Sequence, residues 1–335
     1  MKRSLNLRLR AGQALGHYQL VRMLDHRRPV EVWQGQHINV PIQVALKVLP
    51  RDGQEEEEYQ HVERLLQNEA LVLADLHHQH IVTLRDYLRG RDFHALVLEY
   101  APYGSVPRYH GSGRKLPLAL IRLYIWQIGH ALAVLHGRGL LHRDVKPSNI
   151  LLLNTRHALL ADFGLALYAS VLTAQQCPHQ GGTPAYMAPE QQRGYPCPAS
   201  DQYGLATSVY EWLTGHRPFS SKTGQRMSRR EHLEPLPVRI LRPELPAAVD
   251  EILRIALHPD PTRRYPSVLD FARDFVEVTR TSRPPLVRRM PYDRGTRGRE
   301  AAPPARLPHL RETGEHQALC LPALSPGLPV SRAIG

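Results

Sequence analysis

Residues 140–166 read LLHRDVKPSNILLLNTRHALLADFGLA and hold the densest set of groups able to do chemistry. Asp144, Lys146, Asn149 and Asp162 stand at the ends of apolar runs. Two carboxylates and an amide brought to one point suit a hard cation such as Mg2+, which takes oxygen ligands. A neighbouring lysine suits an anionic group. A magnesium ion, an anion and a spare carboxylate together point to phosphoryl transfer.

The elements that must position these groups are legible around them. Two short strands, 150–153 and 157–161, follow a turn and carry the polar residues at their ends. Upstream, HYQLVRML (17–24), VEVWQG (30–35) and IQVALKVL (42–49) are short, rich in Val, Leu and Ile, and separated by turn signals. They predict an antiparallel meander. A helix then starts at Glu55–Glu58, where negative charge favours the positive end of a helix dipole. Its apolar stripe runs through Val62, Leu65, Leu66, Ala70, Leu73 and Leu76. Glu69 lies on the same stripe. Either it reaches water at the stripe's edge, or it is buried and needs a partner, because an unpaired buried charge is expensive.

Two more strands are expected over 81–88 and 94–101, and PYGSVPRYHGSG marks a boundary. Beyond it the pattern turns helical: 117–136 up to a stop at Gly137, an apolar helix over 201–215, and helices over 247–257 and 267–278. A small strand-rich lobe (17–100) and a larger helical lobe (104–280) meet near residues 100–104, where a ligand cleft is expected. A basic segment, 1–16, precedes them. From residue 281 the chain is rich in Pro, Arg and Gly without period and reads as linker or disordered sequence. Over 281–335, nine Arg face four acidic residues.

Composition narrows the class. The chain has 335 residues and a formal net charge of +12. No Lys/Arg run with interleaved aromatics is present, so the basic balance reads as a solvated surface and tail rather than a nucleic-acid site. Cys177, Cys197 and Cys320 are sparse and form no metal-ligand cluster, which fits a reducing compartment. The apolar runs read as shorter than a membrane span, and the start lacks the apolar region of a secretory signal. These readings predict a cytoplasmic protein with no membrane span.

Several motifs in order now carry a resemblance: VALK (44–47), HRDVKPSN (142–149), DFG (162–164), GTPAYMAPE (182–190), SDQYG (200–204) and DPTRRY (260–265). The chain resembles eukaryotic-type protein kinases, most closely the bacterial serine/threonine kinases, over roughly residues 17–280. The resemblance implies an α+β, two-lobed fold, with ATP and Mg2+ as cofactors and protein Ser/Thr hydroxyls as acceptors. It makes Asp144 the base toward the substrate hydroxyl, Asn149 and Asp162 the magnesium ligands, and Lys146 the lysine at the transferred phosphoryl group. Lys47 would hold the α and β phosphates and pair with Glu69. Leu98 falls at the gatekeeper position, and Glu99 and Ala101 follow in the hinge that binds adenine. Leu151 and Val32 would sandwich the adenine ring, with Ala45 and Leu24 beside it. Glu190 is expected to pair with Arg264, and Asp201 to anchor the catalytic-loop backbone. Lys146 and Thr183 favour serine/threonine over tyrosine specificity. Ser170, Thr173 and Thr183 are the candidate phosphosites, and Arg143 the cation that would grip a phosphate there. Regulatory input would reach the kinase through a partner or the basic tail.

One motif departs from the pattern. The family's nucleotide loop reads G-x-G-x-x-G-x-V, but MLDHRRPVEVWQGQH (23–37) places Asp25, Arg27 and Val30 at its glycine positions. Glycine tolerates positive φ there and lets backbone N–H groups approach phosphate. Asp25 can adopt a left-handed turn, whereas β-branched Val30 resists one. The hairpin is therefore expected to turn at Arg28-Pro29, with Arg27 or Arg28 either contacting phosphate or filling its space. Two function classes follow: an active protein kinase with an altered lid, or a pseudokinase acting as a binding or scaffolding module.

Overall fold

The computed structural model describes residues 9–27, 29–51, 55–168, 182–219 and 235–280. Positions 1–8, 28, 52–54, 169–181, 220–234 and 281–335 lie outside these, and with them the first half of the basic N-terminal segment, Arg28, Ser170, Thr173, Cys177, Cys320 and the tail.

The N-terminal strands are β1 (Ala14–Leu15), β2 (Tyr18–Arg27), β3 (Val30–His37), β4 (Gln43–Pro50), β5 (Leu84–Arg89) and β6 (Phe93–Glu99). They form one antiparallel sheet in the order β1-β2-β3-β4-β6-β5. Side chains alternate across a strand, and β4 uses this: Val44, Leu46 and Val48 are buried in a cluster with Leu20, Trp33 and Val97. Ala45 and Lys47 therefore project from the opposite face. Helix α1 (Glu56–Asp75) follows, with Glu56, Glu57 and Glu58 in its first turn. It buries Tyr59, Leu66, Glu69, Val72 and Leu73, so the carboxylate does share the apolar face.

The second lobe is mostly helical: α2 (Val106–His110), α3 (Leu118–Gly137), α4 (Pro189–Gln192), α5 (Pro198–Thr214), α6 (Val238–Leu241), α7 (Ala247–Ala256) and α8 (Val268–Arg280). Between α3 and α4 lie β7 (Leu140–Leu141), β8 (Ile150–Asn154), β9 (His157–Leu160) and β10 (Leu167–Tyr168), as two antiparallel pairs, β8-β9 and β10-β7. One large core joins α3, α5, α7 and α8 to the inner face of α1.

Three sequence expectations need correction. The boundary loop contains α2, a five-residue helix too short to show a period. The 81–88 strand is an isolated bridge at Ile81 followed by β5 from Leu84. Helix α3 is, by length and composition, apolar enough to cross a membrane, contrary to the run lengths read above. In the fold it is a core helix that buries Ile121, Ile125, Ile128, Leu132 and Leu135.

Helix α5 is buried along most of its length. Gly204 in it faces the loop after β7, where a Cβ would stand 2.8 Å from the Val145 carbonyl oxygen. The lack of a side chain there lets the helix lie directly against that loop. The lower part of the lobe is closed by a buried ion pair. Arg264 donates from Nη1 and Nη2 to the two Glu190 oxygens at 2.7 and 2.8 Å, and Ser200 donates to Glu190 at 2.6 Å. Removing one partner of such a pair strands the other charge. Arg264→Ala should therefore lower unfolding free energy by about 3–5 kcal/mol in urea denaturation. A loss below about 1 kcal/mol would contradict this account.

Candidate active site

Lys47 extends from β4 into the cleft between the lobes. Its Nζ donates to Glu69 Oε2 at 2.6 Å and to Asp162 Oδ1 at 2.8 Å. Strand β4, helix α1 and the segment after β9 thus converge on one ammonium. The second oxygen of Glu69 accepts from the Phe163 N–H at 3.3 Å. Phe163 is fully buried and stands edge-on to His142, 4.9 Å between ring centroids. This packing fixes Asp162, whose φ of 70° lies in the left-handed region.

Electrostatics follow from this geometry. Burial alone would depress the Lys47 pKa, but the Asp162 and Glu69 carboxylates outweigh it and carry Lys47 above its ordinary value. The Lys47 charge is the main reason that Asp162 is held at about 2, against the upward pull of burial. Glu69 is pushed above the usual carboxylate range by burial, with Lys47 opposing. The Asp162 side chain is nevertheless 40% exposed, because it faces the open cleft.

The loop 142–149 presents the second cluster. Asp144 Oδ1 accepts from the Thr183 N–H at 2.9 Å, and Oδ2 accepts from Lys146 Nζ at 2.5 Å and Asn149 Nδ2 at 2.9 Å. Lys146 also donates to Thr183 Oγ at 2.5 Å. The amide nitrogen of Asn149 is thereby spent on Asp144, whose carbonyl it also reaches at 2.9 Å, so its Oδ1 remains as an acceptor.

Asp201 on α5 holds this loop by its backbone. It accepts from the His142 N–H at 2.9 Å and the Arg143 N–H at 2.8 Å, and His136 Nε2 donates to it at 2.9 Å. Burial opposes its ionisation, but the His136 hydrogen bond and the charge of that ring lower its pKa on balance. These bonds pin Arg143 at φ 68°, a costly conformation for a side chain of that size.

The nine residues that the resemblance assigned to a nucleotide line one cavity of about 250 Å³. Leu24, Val32, Ala45, Leu98 and Leu151 supply apolar walls, Glu99 and Ala101 the hinge edge, and Lys47 and Asp162 the polar end. Asp25 and Val30 line the cavity as well. Both are strand residues: Asp25 pairs with Val32, and Arg27 with Val30. Among the described residues, positive φ outside glycine occurs only at Arg143 and Asp162, so Asp25 does not take the left-handed turn. Sequence reasoning missed Arg22, Tyr100 and Arg108, which also line the cavity. Only the fold brings α2 to the hairpin.

A family model described as a protein kinase domain matches residues 30–286. The match begins at Val30, after the strand that carries Asp25 and Arg27. The serine/threonine-protein kinase PknA of Mycobacterium tuberculosis is 34% identical over 279 residues, covering 81% of this chain and 63% of that protein. A relative named serine/threonine-protein kinases drp72, from Corynebacterium efficiens, is 32% identical over 291 residues, covering 84% of this chain and 54% of the relative. The serine/threonine-protein kinase ULK3 of Xenopus laevis is 34% identical over 221 residues, covering 65% of this chain and 46% of that protein. The chain thus spans less than two thirds of the length of these relatives.

The charge balance at Lys47 is directly testable. In a carbon-13 NMR titration Asp162 should remain ionised at about pH 3. In Lys47→Met the burial cost loses its main opponent, so the midpoint should rise to about 3.9 or beyond. An unchanged midpoint would show that Lys47 does not set the ionisation of Asp162.

Proposed function

The chain belongs to the protein kinase family, whose two-lobed α+β fold it has, and we propose that it transfers the γ-phosphoryl group of ATP to Ser/Thr hydroxyls of proteins. The observation that carries this reading is the complete double cluster: Lys47 between Glu69 and Asp162, and Asp144 fixed by Lys146, Asn149 and Thr183.

Each chain group has work suited to its geometry. The apolar walls take the adenine ring, and the backbone of Glu99 and Ala101 its polar edge. Lys47, held cationic by two carboxylates, binds the α and β phosphates. Asp144 Oδ1 accepts one hydrogen bond in the structure, so a lone pair remains for the proton of the attacking hydroxyl. Lys146 bridges Asp144 and Thr183 and places positive charge where the transferred group develops negative charge. Thr183, a candidate phosphosite, has its hydroxyl on Lys146, which supports a structural role.

The residues present fit magnesium. Asn149 offers its Oδ1, and Asp162 offers an ionised carboxylate open to the cleft. Two protein ligands completed by substrate phosphates suit Mg2+, which keeps few protein contacts. When bound, the ion would neutralise phosphate charge and align the γ group. Protein substrates and a cytoplasmic reaction belong to the same proposal, the latter supported by sparse cysteine. A regulatory partner acting through the basic tail rests on its composition alone.

A second reading, a pseudokinase scaffold, is favoured by one observation: Asp25 and Val30 line the cavity where the family has glycine. Phosphate incorporation from Mg·ATP separates the two. Asp144→Asn should lower it by about 10²–10⁴-fold, the range for loss of a general base. No incorporation above this variant, together with no rise in melting temperature on adding Mg·ATP, would leave the scaffold reading. Restoring glycine at positions 25, 27 and 30 should lower the KM for ATP, and an unchanged or higher KM would mean that the lid's own side chains have taken over.

A further inference from the structure

Two irregularities interrupt the pairing of β2 with β3, one between Leu20 and Arg22 and one between Met23 and Asp25. Met23 faces Trp33 and Asp25 faces Val32, so Leu24 is the extra residue of a bulge and drops out of the ladder. A backbone carbonyl freed in this way is open to a partner outside the ladder. Its partner comes from the other lobe: Arg108 Nη1 donates to the Leu24 carbonyl oxygen at 2.7 Å.

The path of the Arg108 side chain is prepared by the fold. Gly104 has φ 68°, and a Cβ there would stand 2.7 Å from Arg108 Cδ. Glycine satisfies the backbone angle and also clears room for the arginine stem. A second arginine ties the same strand to the hinge. Arg22 donates from Nε to Gln34 Oε1 at 2.7 Å and from Nη2 to the Tyr100 hydroxyl at 3.0 Å, and Tyr100 donates to Gln34 at 3.3 Å. Arg22, Leu24 and Arg108 line the same cavity as Lys47.

We infer that Arg108 is a positioning residue for the nucleotide: it latches the glycine-free lid onto the helical lobe through the Leu24 carbonyl, with Arg22 as a second tie. This rests on the nucleotide-binding reading above. A glycine lid is held over ATP largely by its own amides against the phosphates. Here Asp25 and Val30 are locked in strand pairing, so the lid's position is set instead by a guanidinium from across the cleft. A charge-assisted bond to a carbonyl is directional enough for that task. Arg108 is exposed and its loss opens no cavity, so the latch can be removed without unfolding the domain.

The test uses the full chain and its Arg108→Ala and Arg108→Lys variants. For Arg108→Ala, the KM for ATP and the Kd for Mg·ADP should rise about three- to tenfold, as loss of one such hydrogen bond implies. The kcat at saturating ATP should stay within about twofold, and the melting temperature should hold. Amide hydrogen exchange over residues 22–34 should quicken without nucleotide. Arg108→Lys should recover part of each effect, since a point charge replaces the planar fork. Unchanged Mg·ADP affinity together with unchanged exchange in Arg108→Ala would overturn the latch. If the wild type neither binds Mg·ADP nor incorporates phosphate, the kinase reading falls. Exchange over 22–34 then judges the tether by itself, and no change there overturns it too.

Discussion

The structure is organised around one ammonium that cannot be left alone. Lys47 leaves the sheet on the face opposite Val44, Leu46 and Val48 and ends in a protein-lined cleft. A charge there is tolerable only if paired. Glu69 and Asp162 supply the pairing at 2.6 and 2.8 Å, and each comes from a different element. The requirement therefore places α1 against the sheet and the segment after β9 beneath both. Pairing of this kind is weak evidence for stability, because desolvation offsets much of the attraction. Its value lies in register: the three elements can meet at one nitrogen in one arrangement.

The second cluster obeys a similar rule at the backbone level. Arg143 and Asp162 both sit at positive φ without being glycine. Such residues persist only where surroundings over-determine them. For Arg143 the surroundings are Asp201, which takes two successive N–H groups, and Gln191, which donates to the Arg143 carbonyl at 2.6 Å. For Asp162 they are the buried Phe163 and the Lys47 ammonium. Asp144 and Asp162 lie before β8 and after β9, at the end of that strand pair where Ile150 pairs with Leu160. His142 links the two, since its Nε2 donates to the Ala161 carbonyl and its Nδ1 accepts from the Asp144 N–H.

Much of this is legible in the amino-acid sequence, for physical reasons that differ by element. The long strands and α1, α3, α7 and α8 bury continuous apolar faces, so their periods show in the residues. The apolar pattern predicts α5 over 201–215, three residues after its start, because its first turn opens on Pro198, ahead of the apolar run. Short elements left no period to detect: α2 and α6 have five and four residues. At the site, the motif residues are accessible through resemblance, which also gives Glu69 its partner where the apolar stripe alone leaves it open. Arg22, Tyr100 and Arg108 are not. Their partners lie 78 and 84 residues away along the chain, and single arginines on a basic surface carry no pattern.

The lid shows why those missing residues matter. A sheet ladder and a phosphate cradle compete for the same N–H groups. Where glycines interrupt a hairpin, the backbone leaves the ladder and its amides turn toward the ligand. In this chain β2 runs on to Arg27 and β3 starts at Val30, so the ladder wins almost to the turn. A stiffer hairpin presents fewer amides to a triphosphate but has a better-defined position. Of its two interruptions, the bulge at Leu24 exposes an acceptor rather than a donor. An acceptor cannot hold phosphate, but it can hold a guanidinium, and Arg108 stands there. The glycine-free lid thus keeps its ladder almost to the turn, while the bulge at Leu24 supplies the acceptor for the interlobe tie.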